Sequence, residues 1–190
     1  MSDKRPATSW QLGRDGAVVC VIDVQEKLAP VMDATRFPKA VANVQRLLRG
    51  AAALEVPAIV TEQHPKGLGP TIGALTEDIR QARLVTKTEF DASRNAAFNG
   101  LLETLHAKTV ILAGLEAHIC VLQTAVALRE RFNVWVAGDA ICSRAPENIE
   151  AAQRIMSEAG VVVAPTESIL FGMLERSDQP EFKAVSAIVR

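Results

Sequence analysis

Residues 17–24 (AVVCVIDV) form a continuous apolar run interrupted by a single carboxylate. A short run without polar alternation is what a strand covered on both faces requires, and such strands belong to parallel sheets flanked by helices. After it, Phe37, Ala40, Val41, Val44, Leu47, Leu48, Ala51 and Leu54 recur three and four apart. That spacing predicts a helix, with Pro38 tolerated in its first turn and Pro57 as its stop. The pattern repeats downstream. Strands are predicted at 58–61, 83–86, 109–113, 134–137 and 161–163, and helices at 95–106, 119–132, 146–159 and from 168 to 174. Residues 65–71 (PKGLGPT) read as a loop by composition.

Parallel strands need crossover connections, and these are right-handed. The alternation therefore predicts a three-layer α/β fold: a Rossmann-like, doubly wound, parallel six-stranded sheet with helices on both faces. Residues 1–12 read as a polar leader, and no repeat or linker divides the rest, so residues 1–190 are expected to form one domain. Ligands of such sheets bind beyond the carboxyl ends of the strands. Functional residues should then sit just after strands.

Composition narrows the partners. The net charge is −1 and no Lys/Arg stripe is present, which argues against nucleic acid and anionic membrane. The apolar runs are too short to span a bilayer, and the N-terminus lacks the apolar stretch of a signal peptide. Three cysteines, at 20, 120 and 142, are an odd number without metal-ligand spacing. They point to a reducing cytoplasm and not to a disulfide framework.

Three residues meet the strand-end rule. Asp23 ends the first apolar run, Lys87 follows the third strand, and Cys120 lies six residues past Gly114, where the fourth strand turns into a helix. Alone, each has a plain structural reading: a turn-capping Asp, a solvated Lys, a small buried Cys. Together they bring an acid, a cation and a thiol to one sheet edge. A carboxylate can take the thiol proton, and an ammonium can favour the thiolate and developing negative charge. A thiol in the first turn of a helix should also be acidified by the helix dipole.

The segments VIDVQEKL (21–28), TKTEFDA (86–92) and AGLEAHICVLQTA (113–125), with VTEQHPKGLGPT (60–71) and AGDAICSR (137–144), resemble the isochorismatase-like cysteine hydrolase superfamily. That superfamily includes nicotinamidases and N-carbamoylsarcosine amidases, and the likeness runs from about residue 15 to 175. The resemblance implies Asp23 as general base, Lys87 as its electrostatic partner and Cys120 as nucleophile. It also implies a strand order 3-2-1-4-5-6, a cis peptide at Leu115–Glu116, and an oxyanion site made by the backbone N–H groups of Glu116 and Cys120. True isochorismatases lack the cysteine, so the expected reaction is hydrolysis of a small amide or carbamoyl compound through a thioester. No cofactor is expected.

Nicotinamidases carry an Asp-x-His metal pair after the second strand. Glu62-Gln63-His64 stands in a comparable place, but no His occurs between His64 and His106, so no metal is expected. Gln25, Phe90 and His118 are expected to line the substrate pocket, with Phe37 another apolar wall. Cys20 should be a buried strand residue and Cys142 a loop thiol. The apolar segment Phe182–Val189 could pack on a neighbouring subunit of a homo-oligomer or fold onto its own domain. Two other functions compete: a redox-sensing or binding protein that retains a reactive thiol, and a metal-dependent nicotinamidase.

Overall fold

Every residue of β1 (Ala17–Ile22) is buried in the computed structural model, which describes residues 11–190. The strand pairs in parallel with β2 (Ala58–Gln63) on one side and β4 (Thr109–Leu115) on the other. With β3 (Arg83–Lys87), β5 (Asn133–Cys142) and β6 (Val162–Ala164) they form an all-parallel sheet in the order β3-β2-β1-β4-β5-β6. The winding reverses between β1 and β4, which opens a crevice at their carboxyl ends.

The helices are α1 (Phe37–Ala53), α2 (Pro65–Leu68), α3 (Ala96–Thr104), α4 (Leu122–Leu128), α5 (Pro146–Glu158), α6 (Thr166–Leu174) and α7 (Phe182–Val189). On one face α1, α6 and α7 pack together; on the other α4 packs against α5. The buried stripe of α1 is Ala40, Val44, Leu47, Leu48 and Ala51, as its spacing predicts. Each buried leucine contributes about 1.5–3 kcal/mol. At Gly50 a Cβ would stand 2.2 Å from Leu170 Cδ2, so the approach of α1 to α6 requires glycine there. None of the helices among the described residues is long and apolar enough to cross a membrane.

Local differences from the sequence expectations have physical causes. β1 ends at Ile22 and not at residue 24, because Asp23 adopts a left-handed backbone with φ 51°. Residues 65–71 are not all loop: Pro65 starts a single helical turn. β5 runs on to Cys142 past an irregularity opposite Leu112–Gly114, so Cys142 is a fully buried strand residue and not a loop thiol. Residues 117–121 form a wide π-type turn before α4, and α4 itself ends at Leu128. His106 lies past the end of α3 and takes a left-handed φ of 50°.

Of the leader, residues 1–10 lie outside the described residues, and Leu12 is buried in the core. The segment Phe182–Val189 folds onto its own domain: Val185 is fully buried, and the Phe182 and Phe171 rings stand 6.3 Å apart. Its apolar face therefore gives no support to subunit contact.

Candidate active site

Asp23 is the first residue after β1, and its left-handed turn takes it out of the strand while its N–H still donates to the Thr61 carbonyl at 3.1 Å. Asp tolerates this conformation better than most residues. Its carboxylate is completely buried and held at both oxygens. Thr61 Oγ1 donates to Oδ1 at 2.6 Å and Lys87 Nζ to Oδ2 at 2.6 Å. Lys87, the last residue of β3, reaches past β2 to make this ion pair, and both side chains are fully enclosed. Its ammonium also donates to Gln63 Oε1 at 2.7 Å and to the Glu89 carbonyl at 3.0 Å.

An ammonium has three donors, and all three are committed. Lys87 is thus fixed as a charge beside Asp23 and has no hydrogen left to donate to a ligand. A buried pair survives desolvation only with such complete satisfaction, and removing one partner typically costs about 3–5 kcal/mol.

Cys120 comes from the other half of the sheet. β4 leads through Gly114, with φ 115°, to a cis peptide at Leu115–Glu116 and then to the π-type turn. A Cβ on Gly114 would lie 2.1 Å from the Ile22 carbonyl oxygen, so the closest approach of β4 to β1, one residue before Asp23, is open only to glycine. In the turn both Ile119 and Val121 donate to the Glu116 carbonyl, at 3.0 and 3.2 Å. The turn brings the Cys120 thiol to the Asp23 carboxylate while leaving the residue 7% exposed, reachable yet nearly dry.

The expected acidification of this thiol does not occur; its pKa is pushed up to about 12. Burial is the largest cause, and the charge of Asp23 and its hydrogen bond with the thiol add to it. The Lys87 charge and the backbone N–H of Glu116 pull the other way and lose. At rest the nucleophile candidate is a neutral thiol lying close enough to the Asp23 carboxylate for that charge to raise its pKa. Asp23, Lys87 and Cys120 are therefore brought together, but as an acceptor with a poised S–H and not as a preformed thiolate.

The remaining candidates separate. Gln25 is fully buried, and its amide is spent on Gln63 O at 3.0 Å, Gly69 O at 2.6 Å and Gln63 N–H at 2.7 Å. It ties the 63–70 segment to the sheet and presents no free polar atom to a pocket, contrary to its expected role. Glu62 does the same for Thr71, accepting from its N–H and hydroxyl at 2.7 and 2.9 Å. His118 is half-buried, with Nδ1 2.9 Å from the hydroxyl of fully buried Ser143. Phe90 is 56% exposed beside the Lys87–Glu89 segment, and Phe37 packs against the core. Arg144 holds the Glu116 side chain at 2.8 Å.

Among the described residues no group of three or more His, Cys, Asp or Glu side chains converges on a metal position. A cleft of about 400 Å³ opens at the carboxyl end of β3, with His64, Lys66, Thr88, Glu89 and Asn95 among its walls; neither Asp23 nor Cys120 lines it. Another of about 400 Å³, near Leu48, Glu55, Pro57 and Asp78, lies at the amino end of β2, away from all the candidate residues.

Sequence reasoning missed Thr61 and Gln63, which complete the polar shell of Asp23 and Lys87. Their signal was present: both are polar residues two apart near the carboxyl end of an apolar strand, so both project to the same face.

A family model described as the isochorismatase domain matches residues 17–168. Isochorismatase domain-containing protein 2 of Xenopus laevis is 33% identical over 94% of this chain and 86% of its own length. A solved structure described as MAR1 ribonuclease from Caenorhabditis elegans is 35% identical, with a TM-score of 0.88 over 94% of this chain and 92% of the other. YcaC from Pseudomonas aeruginosa, solved with hexane-2,5-diol and covalent acrylamide, is 25% identical, with a TM-score of 0.87 over 96% and 93%. Sheet order, site position and these likenesses agree: the chain belongs to the isochorismatase-domain family of hydrolases.

Proposed function

We propose that the protein is a cysteine hydrolase of small uncharged amides or carbamoyl compounds, with Cys120 as nucleophile and Asp23 as its base. The observation that carries this reading is the nearly buried thiol of Cys120, brought from the end of β4 to the neighbourhood of a buried carboxylate that Lys87 and Thr61 pin at both oxygens. Such a carboxylate can take the thiol proton as sulfur attacks the carbonyl carbon. It then returns that proton to the leaving nitrogen as the C–N bond breaks, which leaves a thioester on sulfur. Water, deprotonated by the same carboxylate, opens the thioester and restores the thiol.

Backbone N–H groups at Glu116 and Cys120 are the proposed donors to the oxyanion. Lys87 acts through its field alone, since its donors are committed. The Asp23–Lys87 pair is neutral overall, which suits an uncharged reacting group.

Acrylamide, bound covalently in the similar YcaC, is an electrophile that soft nucleophiles attack at the β-carbon, and it supports a reactive nucleophile in this fold. The ribonuclease description of the nematode relative does not transfer, because a net charge of −1 without a basic stripe offers RNA phosphates little. Assembly into a homo-oligomer in the cytoplasm is part of the proposal; Leu84 in β3 and Phe90 just after it are among the exposed large apolar residues that subunit contact could cover.

The test is ammonia release from a panel of small primary amides and carbamoyl compounds by wild type and Cys120→Ala, with intact mass of the quenched protein. A substrate turned over by wild type alone, with a thioester on Cys120, supports the reading. Equal turnover by Cys120→Ala removes it.

A further inference from the structure

We propose that Thr61 is a positioning residue for Asp23, holding its carboxylate in place on the side of the Cys120 thiol; this rests on the reading of Asp23 as the base. Thr61 is completely buried in β2 and grips Asp23 twice. Its carbonyl accepts the Asp23 N–H at 3.1 Å, and its hydroxyl donates to Oδ1 at 2.6 Å. The double grip falls where the ladder gives out: the register of β1 with β2 ends at the pair Ile22–Thr61, and Asp23 has already turned left-handed. Beyond that point the strand no longer fixes the carboxylate, and Thr61 and Lys87 do so with one donor on each oxygen.

Packing does not explain the hydroxyl. Valine has nearly the shape of threonine and suits a buried strand at least as well. A hydroxyl aimed at a carboxylate favours its charged form and fixes its plane. The charged form is the one that can accept the thiol proton. Thr61 touches neither the thiol nor a substrate carbonyl in this arrangement, so its effect passes through Asp23.

Acrylamide is the probe, because its addition uses the same proton path. Sulfur bonds to the β-carbon, the C=C π pair moves to the α-carbon, and the thiol proton passes to Asp23 and from there to the α-carbon. Nothing is oxidised or reduced. The rate of adduct formation at Cys120, read by peptide mass from about pH 4 to 9, should fall at acid pH as Asp23 takes up a proton.

In Thr61→Val that fall should move to higher pH by about one unit, and Thr61→Ser should restore the wild-type profile. Thr61→Ala, which cannot clash, should shift as Val does and covers the case in which the valine variant fails to fold. Profiles of Val and Ala that overlay wild type, with only the melting temperature lowered, would overturn the inference and leave Thr61 a structural residue. Asp23→Asn separates the two readings. If it keeps the wild-type acid fall, the assignment of Asp23 as base fails; if it loses the fall while Thr61→Val does not shift it, only the role of Thr61 fails.

Discussion

The two halves of the sheet contribute to the site in opposite ways. The β1–β2–β3 half supplies side-chain chemistry: Asp23, Thr61, Gln63 and Lys87 form a buried polar network in which the ammonium and both carboxylate oxygens are partnered. The β4–β5 half supplies backbone: a glycine approach, a β5 irregularity and a wide turn deliver one thiol and leave N–H groups beside it. Charge is prepared on one side of the switch point and the proposed nucleophile is presented from the other. Stability and activity should therefore be coupled in the first half and separable in the second.

Cys120→Ala tests the second half and carries the largest expected effect. Turnover should fall by about 10⁴-fold or more. The chemical-denaturation midpoint should move little, since the change removes one buried sulfur, costing about 1 kcal/mol. A large loss of stability would mean that the thiol serves packing and would erase the contrast.

Lys87→Met tests the first half. It leaves the Asp23 carboxylate buried with its Thr61 bond but no cation, and should destabilise the protein by about 3–5 kcal/mol. It also removes the one charge that lowers the thiol pKa, so iodoacetamide should alkylate Cys120 more slowly than in wild type at any fixed pH below about 12. A variant of wild-type stability and reactivity would show the ion pair to be incidental.

Glu62→Ala sharpens the comparison at a distance from the reacting atoms. Thr71 would lose the acceptor for two of its donors, a cost of about 1–2 kcal/mol. Amide exchange should quicken across residues 64–71 and not in the Cys120 turn. Uniform quickening would show that the two halves do not act as separate units.

The sheet was legible because its signal is redundant: the unbroken run at residues 17–22 and the α1 stripe each report burial many times over. The three candidate residues were legible because each ends an apolar strand or follows one closely. What the residues alone could not report was how the chain leaves those strands. The left-handed Asp23, the turn at 117–121 and the buried end of β5 are set by tertiary closure and not by local pattern. For the same reason the thiol pKa was misjudged. A helix-start position argues for acidity, but burial overrides it, helped by a carboxylate 97 positions away in sequence. Gln25 was misplaced because a polar residue after a strand can serve either a ligand or the next loop, and only the Gln63 and Gly69 contacts decide which.

The central claim is that Asp23 takes the Cys120 proton, and Asp23→Asn tests it most directly through two rates measured on one preparation. Removing the carboxylate takes away the charge and hydrogen bond that raise the thiol pKa, while the Lys87 charge that lowers it stays. The thiol should then ionise more readily, and iodoacetamide, whose leaving iodide needs no proton, should alkylate Cys120 at pH 8 about tenfold or more faster than in wild type. Amide turnover should fall by about 10³-fold or more, because nothing remains to protonate the leaving nitrogen. Alkylation up and turnover down is the predicted result. Retained turnover would contradict the account.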